Sequence, residues 1–160
     1  MKDLVIYYSW SGNTRKMAQI IGEKTGADLF ELTLAKPYST TYAVCVAQAG
    51  KEIFTHKSRP VVELPDDIAS YDRIFLGSPV WWYGWSLPML QCLKKLNLAA
   101  KVVMPFCTHG GGGGANLAKD LKKWQPQANI KESLIVLKDG GEELATQIER
   151  WLSLYANVSL

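Results

Sequence analysis

Cysteine and histidine are scarce in this chain. Among 160 residues there are three cysteines, Cys45, Cys92 and Cys107, and two histidines, His56 and His109. They form no Cys-x-x-Cys pair and no ligand cluster, which excludes a disulfide framework, a thioredoxin-type motif and a zinc site. Long apolar runs are also missing. Nothing approaches the roughly 20 residues of a membrane span. Lys2 and Asp3 precede a five-residue apolar run that stops at Ser9, which is not the pattern of a secretory leader. A sparse, odd set of thiols then implies a cytoplasmic protein with reduced cysteines and no membrane partner. Charge of one sign is not in excess. The formal net charge is +3, with Lys and Arg scattered, so the dense basic patch of a nucleic-acid binder is absent. No internal repeat, linker or low-complexity tail interrupts the chain, and its length suits one domain over residues 1–160.

What the chain does have is alternation. Apolar runs at 4–8, 28–32, 73–77, 101–107 and 130–137 read as strands. Segments of helical spacing fall between and after them, at about 14–25, 43–54, 88–96, 116–124 and from 142 onward. Five such βα units with nearly continuous apolar strands predict an α/β fold with a parallel sheet covered on both faces. In such sheets ligands bind beyond the carboxyl ends of the strands.

Three loops at those ends are chemically unusual. The first reads Ser9-Trp10-Ser11-Gly12-Asn13-Thr14. A plain helix cap needs one residue of this kind, and here five of six positions are small or polar. No Gly-Lys-Ser/Thr follows and the three spaced glycines of a dinucleotide loop are missing. A hydroxyl-rich turn opening a helix is nonetheless a good phosphate site, because the first turn presents unpaired N–H groups and a partial positive charge. Arg15 and Lys16, in that first turn, either point into water or lie beside a bound dianion.

The second loop, Ser78-Pro79-Val80-Trp81-Trp82-Tyr83-Gly84-Trp85, crowds four large aromatics together. Packing on the next helix, or a dimer contact, accounts for one or two of them. A flat ring stacked on at least one explains the rest. The third loop runs from Thr108 and His109 through Gly110 to Gly114. Ordering five glycines is costly, and it makes sense where bare backbone meets a ligand edge. His109 is either structural or a ligand contact. A phosphate anchor, a stacking wall and a backbone rim together fit a phosphorylated planar cofactor.

On these residues the sequence resembles the flavodoxin family, nearly along its whole length. The resemblance implies a flavodoxin-like three-layer sandwich with a five-stranded parallel sheet of order 2-1-3-4-5, an uninterrupted fifth strand, and non-covalent FMN. Ser9, Trp10, Ser11, Gly12, Asn13 and Thr14 would form its phosphate loop. Pro79, Val80, Trp81, Trp82 and Tyr83 would line the isoalloxazine, and Thr108, His109, Gly110 and Gly111 its pyrimidine edge. No metal and no dedicated catalytic residue are expected. Electron-carrying flavodoxins are typically strongly acidic and often cover the flavin with an aromatic from the third loop. This chain is slightly basic and offers glycines there. The family default is an electron carrier serving redox partner proteins, as a monomer or weak dimer. The alternative is an FMN-dependent NAD(P)H oxidoreductase acting on a quinone, nitro or azo acceptor. A third reading, an interaction module without flavin, is opposed by the intact phosphate loop.

Overall fold

The computed structural model describes residues 1–114 and 116–156; the end of the expected 1–160 domain lies outside them. The central sheet is built on β1 (Asp3–Tyr7), β2 (Asp28–Glu31), β3 (Arg73–Trp81) and β5 (Val102–His109). All pair in parallel in the order β2-β1-β3-β5. The far edge is formed by β6 (Asn129–Ile130) and β7 (Leu134–Leu137), which lie one after the other along β5. A two-residue strand, β4 (Gly84–Trp85), folds back antiparallel on the end of β3.

The helices are α1 (Asn13–Thr25), α2 (Tyr42–Thr55), α3 (Leu87–Leu93), α4 (Leu117–Trp124) and α5 (Leu144–Ser153). Residues on successive strand positions face opposite sides of the sheet, which divides the core in two. Ile6, Leu76 and Val103 pack with Met89, Leu93 and Leu121 on one side. Val5, Phe75 and Phe106 pack with Met17, Ile21, Ile148 and Trp151 on the other. This is the expected α/β three-layer sandwich, and the observed order β2-β1-β3-β5-β6 corresponds to 2-1-3-4-5 when β4 is set aside and β6 and β7 are taken as one strand.

Two features depart from the expected five-stranded sheet. The strand read at 73–77 continues to Trp81 and turns back as a hairpin; its return strand and the division of the fifth strand bring the sheet to seven strands. The fifth strand is interrupted. Val103 pairs with Ile130 and Phe106 with Leu134, so three residues, Lys131 to Ser133, stand opposite two, Met104 and Pro105. Proline has no N–H to give a ladder. The Glu132 carbonyl instead accepts the Trp151 indole N–H at 3.0 Å, from α5.

At the middle of the sheet Gly77 pairs with Tyr7 on one side and Phe106 on the other. A Cβ there would sit 2.2 Å from Phe106 Cζ, and the ring is fully buried. Gly77→Ala is therefore expected to cost about 1–3 kcal/mol by overpacking, read as a lower urea midpoint; an unchanged midpoint would show that the Phe106 ring moves freely.

Candidate functional site

At the carboxyl ends of β1, β3 and β5 a cleft of about 320 Å³ opens. It lies where a ligand site is expected in an open parallel sheet. Trp10, Ser11 and Asn13 reach it from the first loop, Pro79, Val80, Trp81 and Trp82 from β3 and its turn, and Thr108, His109 and Gly110 from the end of β5. These ten residues, drawn from the three loops singled out in the sequence, line one cleft.

The first loop turns on Gly12, which takes φ 95° immediately before α1. That left-handed conformation favours glycine. Ser9 Oγ accepts the Gly12 N–H at 3.1 Å and the Arg15 N–H at 3.2 Å. Ser9 thus shapes the loop from within and does not line the cleft. The N–H groups of Asn13 and Thr14 have no intrahelical acceptor and no acidic side chain occupies the first turn. The two cations that follow are committed elsewhere: Arg15 pairs with Glu31 and Lys16 with Asp139 at 3.3 Å. The Asp139 carboxyl is held below its usual range, first by the Gly141 N–H and then by Lys16.

Thr14 is 1 % exposed and turned inward. Its hydroxyl shares a 3.0 Å hydrogen bond with that of Thr108, joining the first loop to the end of β5. Only Thr108 of the pair lines the cleft.

The aromatic wall splits by role. Trp85 is buried and its indole N–H donates to the Leu117 carbonyl at 3.3 Å. Trp81 meets Tyr38 and Tyr8 edge to face, with centroids 4.8 Å and 5.6 Å away. Behind it Glu52 accepts from the Tyr38 hydroxyl and from Arg59 Nε at 2.7 Å. The Arg59 guanidinium lies 4.0 Å from the Tyr38 ring centroid. Burial, and next the Glu52 bond, pushes the Tyr38 phenol far above its usual pKa, so it remains a donor. This network fixes Trp81 as a rigid wall.

Trp82 and Tyr83 form the two-residue turn between β3 and β4, with φ 47° and 64°. Positive φ at both central positions is the hairpin geometry that normally takes Asn-Gly. A bulky residue there costs about 1–3 kcal/mol of strain. Trp82 lies over α2, its indole N–H 3.3 Å from the Val46 carbonyl. A Cβ on Gly50 would come within 2.7 Å of that ring. Tyr83 is 82 % exposed and points away from the cleft.

The glycine loop differs from the expected bare rim. His109 Nδ1 accepts the Gly111 and Gly113 N–H groups at 3.2 Å and 3.1 Å. The loop is folded onto its own histidine, and Gly111, at φ 134°, does not reach the cleft.

Five lining residues escaped the sequence reading. Tyr42, Cys45, Val46 and Ala49 form one stripe of α2, and Lys138 follows β7. The stripe has helical spacing, but nothing in the sequence says that this face borders a cleft. Burial pushes the Cys45 thiol up, so it is not a ready nucleophile. Lys138 takes φ 51°, donates its N–H to the His109 carbonyl at 2.8 Å, and joins no ion pair among the described residues. Among those residues no group of three metal-ligating side chains occurs, and no helix is long and apolar enough to cross a membrane.

The fold and the position of the cleft define a flavodoxin-like α/β protein. The family model described as Flavodoxin matches residues 2–153, and the chain belongs to that family. It is similar to a candidate flavoprotein of Bacteroides eggerthii, at 28% identity and TM-score 0.83, over 98% of this chain and 99% of that one. A flavoprotein of Lactobacillus acidophilus, solved in complex with FMN, is 24% identical over 94% and 97% of the two chains, with TM-score 0.67. Oxidised flavodoxin 1 of Bacillus cereus shares the fold at 16% identity, over 99% and 100%, with TM-score 0.64.

Substitutions at the hydroxyl pair and at the hairpin turn test this geometry. Thr14→Ala removes a buried bond and strands the Thr108 hydroxyl, so stability is expected to fall by about 1–2 kcal/mol. In a double-mutant cycle with Thr108→Val the two losses should be non-additive; strict additivity would mean that the bond contributes nothing. Tyr83→Gly relieves turn strain at an exposed site, and a gain of about 1 kcal/mol is expected after the entropy cost of glycine. A lowered urea midpoint would show that the tyrosine is held by favourable contacts instead.

Proposed function

We propose that the chain binds FMN in this cleft and transfers electrons. The observation that carries the reading is the meeting, in one cleft, of the open first turn of α1 and two indole walls. The donor set fits a phosphate dianion: two free backbone N–H groups, Ser11 and Asn13, with no acidic residue in that turn. The apolar walls fit a flat ring system.

In this reading Ser11, Asn13 and the N–H groups of Asn13 and Thr14 hold the phosphate. Ser9, Gly12 and the inward Thr14 hydroxyl keep that loop in shape, and Trp10 anchors it by donating its indole N–H to the Ser39 carbonyl at 2.9 Å. Pro79, Val80, Trp81 and Trp82 flank the ring, while Thr108, His109 and Gly110 meet it from the other side. Tyr83 and Gly111 support the two loops without touching the ligand. Lys138 adds a cation to the rim. FMN, when bound, supplies reversible one- and two-electron redox chemistry; the protein positions it and tunes its potential.

One observation favours the enzyme alternative. Among the described residues the end of β5 and the loop after it bring only Thr108, His109 and Gly110 to the cleft, and none of them is a large aromatic that could close it. A second small molecule, such as a nicotinamide or a quinone, has room to approach.

The test is a fluorescence titration with FMN and with riboflavin. Two charge-assisted bonds at about 1.5–3 kcal/mol each, less the cost of desolvation, correspond to a preference for FMN on the order of 100-fold. Equal affinity for the two would overturn the reading. With FMN bound, oxidation of NADH or NADPH that depends on an added quinone would establish the enzyme. Reduction by a protein donor, with no nicotinamide oxidation, would establish the carrier.

A further inference from the structure

A second cleft, of about 410 Å³, lies behind the first. The two share a partition, since Trp81 and Trp82 line both. The far walls of the second cleft include Trp85 and Trp124, the latter 41 % exposed near the end of α4. Its charged lining is unevenly committed. Glu52 is engaged by Arg59 and the Tyr38 hydroxyl, and Asp120 by Lys123 at 3.4 Å. Lys57 and Lys94 form no ion pair among the described residues. The cleft is therefore aromatic in its walls and cationic in its free charge. The partition itself is held at a cost, because Trp82 sits in a turn whose positive φ disfavours a large side chain. Strain of that kind concentrates where a side chain must stand in one place for function.

We propose that this second cleft is a binding site for a small planar aromatic anion, a fused ring bearing a carboxylate or sulfonate. The ring packs among Trp81, Trp82 and Trp124, with the buried Trp85 beneath them, and Lys57 and Lys94 meet the acid group. Concave walls of indole on more than one side suit a compact flat ligand better than a peptide. The site is independent of what the first cleft holds, and a ligand in it lies across the Trp81–Trp82 partition from that cleft.

The test is calorimetric titration with 2-naphthoate, on the full chain with and without saturating FMN. One equivalent is expected to bind in both cases, with affinities within twofold of each other. Lys57→Gln combined with Lys94→Gln, both at the surface, should weaken binding at least fivefold, as should replacing the probe by uncharged 2-naphthalenemethanol. Trp124→Ala should weaken it comparably while leaving FMN affinity unchanged. Displacement of naphthoate by FMN would overturn the proposal, because the probe would then occupy the first cleft. Equal binding by the double lysine variant would overturn it too, as nonspecific adsorption to apolar surface. So would tight capture of a polyglutamate peptide with no naphthoate binding, which would make the cleft a protein-docking surface. Failure of the wild-type chain to prefer FMN over riboflavin would instead count against the first cleft's assignment and leave this one standing.

Discussion

Tyr7, the last residue of β1, pairs with Gly77 of β3, and Gly77 with Phe106 of β5, so three parallel strands are held in register in one row where β1 ends. Every other feature of the site depends on that row. Parallel pairing sends each chain out of the sheet in the same direction, and three loops distant in sequence must emerge side by side. The row is tight because glycine at its centre lets the Phe106 ring lie flush against the sheet. Just beyond it the Thr14–Thr108 hydroxyl pair fastens the first loop to the third. The cleft is in this sense a property of the sheet's edge, and the loops furnish it with chemistry.

The furnishing is arranged so that internal partners take up whatever does not face the ligand space. Ser9 satisfies the N–H groups of Gly12 and Arg15 and leaves those of Asn13 and Thr14 open. His109 takes two glycine N–H groups and thereby holds a loop that would otherwise have little reason to stay ordered. Glu31 and Asp139 draw Arg15 and Lys16 away from the helix start. What remains facing the cleft is a set of neutral donors and aromatic surface, with Lys138 at the rim.

Much of this was legible in the sequence, for identifiable reasons. Strands buried on both faces are nearly continuous apolar runs, and a run followed by Ser-x-Ser-Gly-Asn-Thr marks a strand that opens a helix. The fold class and the three converging loops follow from those local patterns. The parts that were not legible are tertiary. That β3 extends into a hairpin depends on a turn whose central residues, Trp82 and Tyr83, are poor choices for it by local preference. The use of His109 as an internal acceptor depends on glycines curling back, which composition alone does not specify. Tyr42, Cys45, Val46 and Ala49 read as an ordinary buried stripe, and only the docking of α2 beside β3 turns it into a wall. The break in the fifth strand needed the Trp151 indole, about 20 residues further along, to receive the displaced carbonyl.

That break has a consequence for how the molecule behaves among its own copies. A long, flat, unpaired strand at the margin of a sheet is a template for adding another chain. Here that margin is divided into runs of two and four residues by the excursion at Lys131 to Ser133, and one carbonyl of the excursion is turned inward onto an indole. The opposite margin, β2, is only four residues long and carries Asp28 and Glu31 at its ends. Neither side presents an extended row of free backbone donors and acceptors. Short, interrupted margins of this kind disfavour edgewise growth, a geometric counterweight in a chain with little net charge to keep its copies apart.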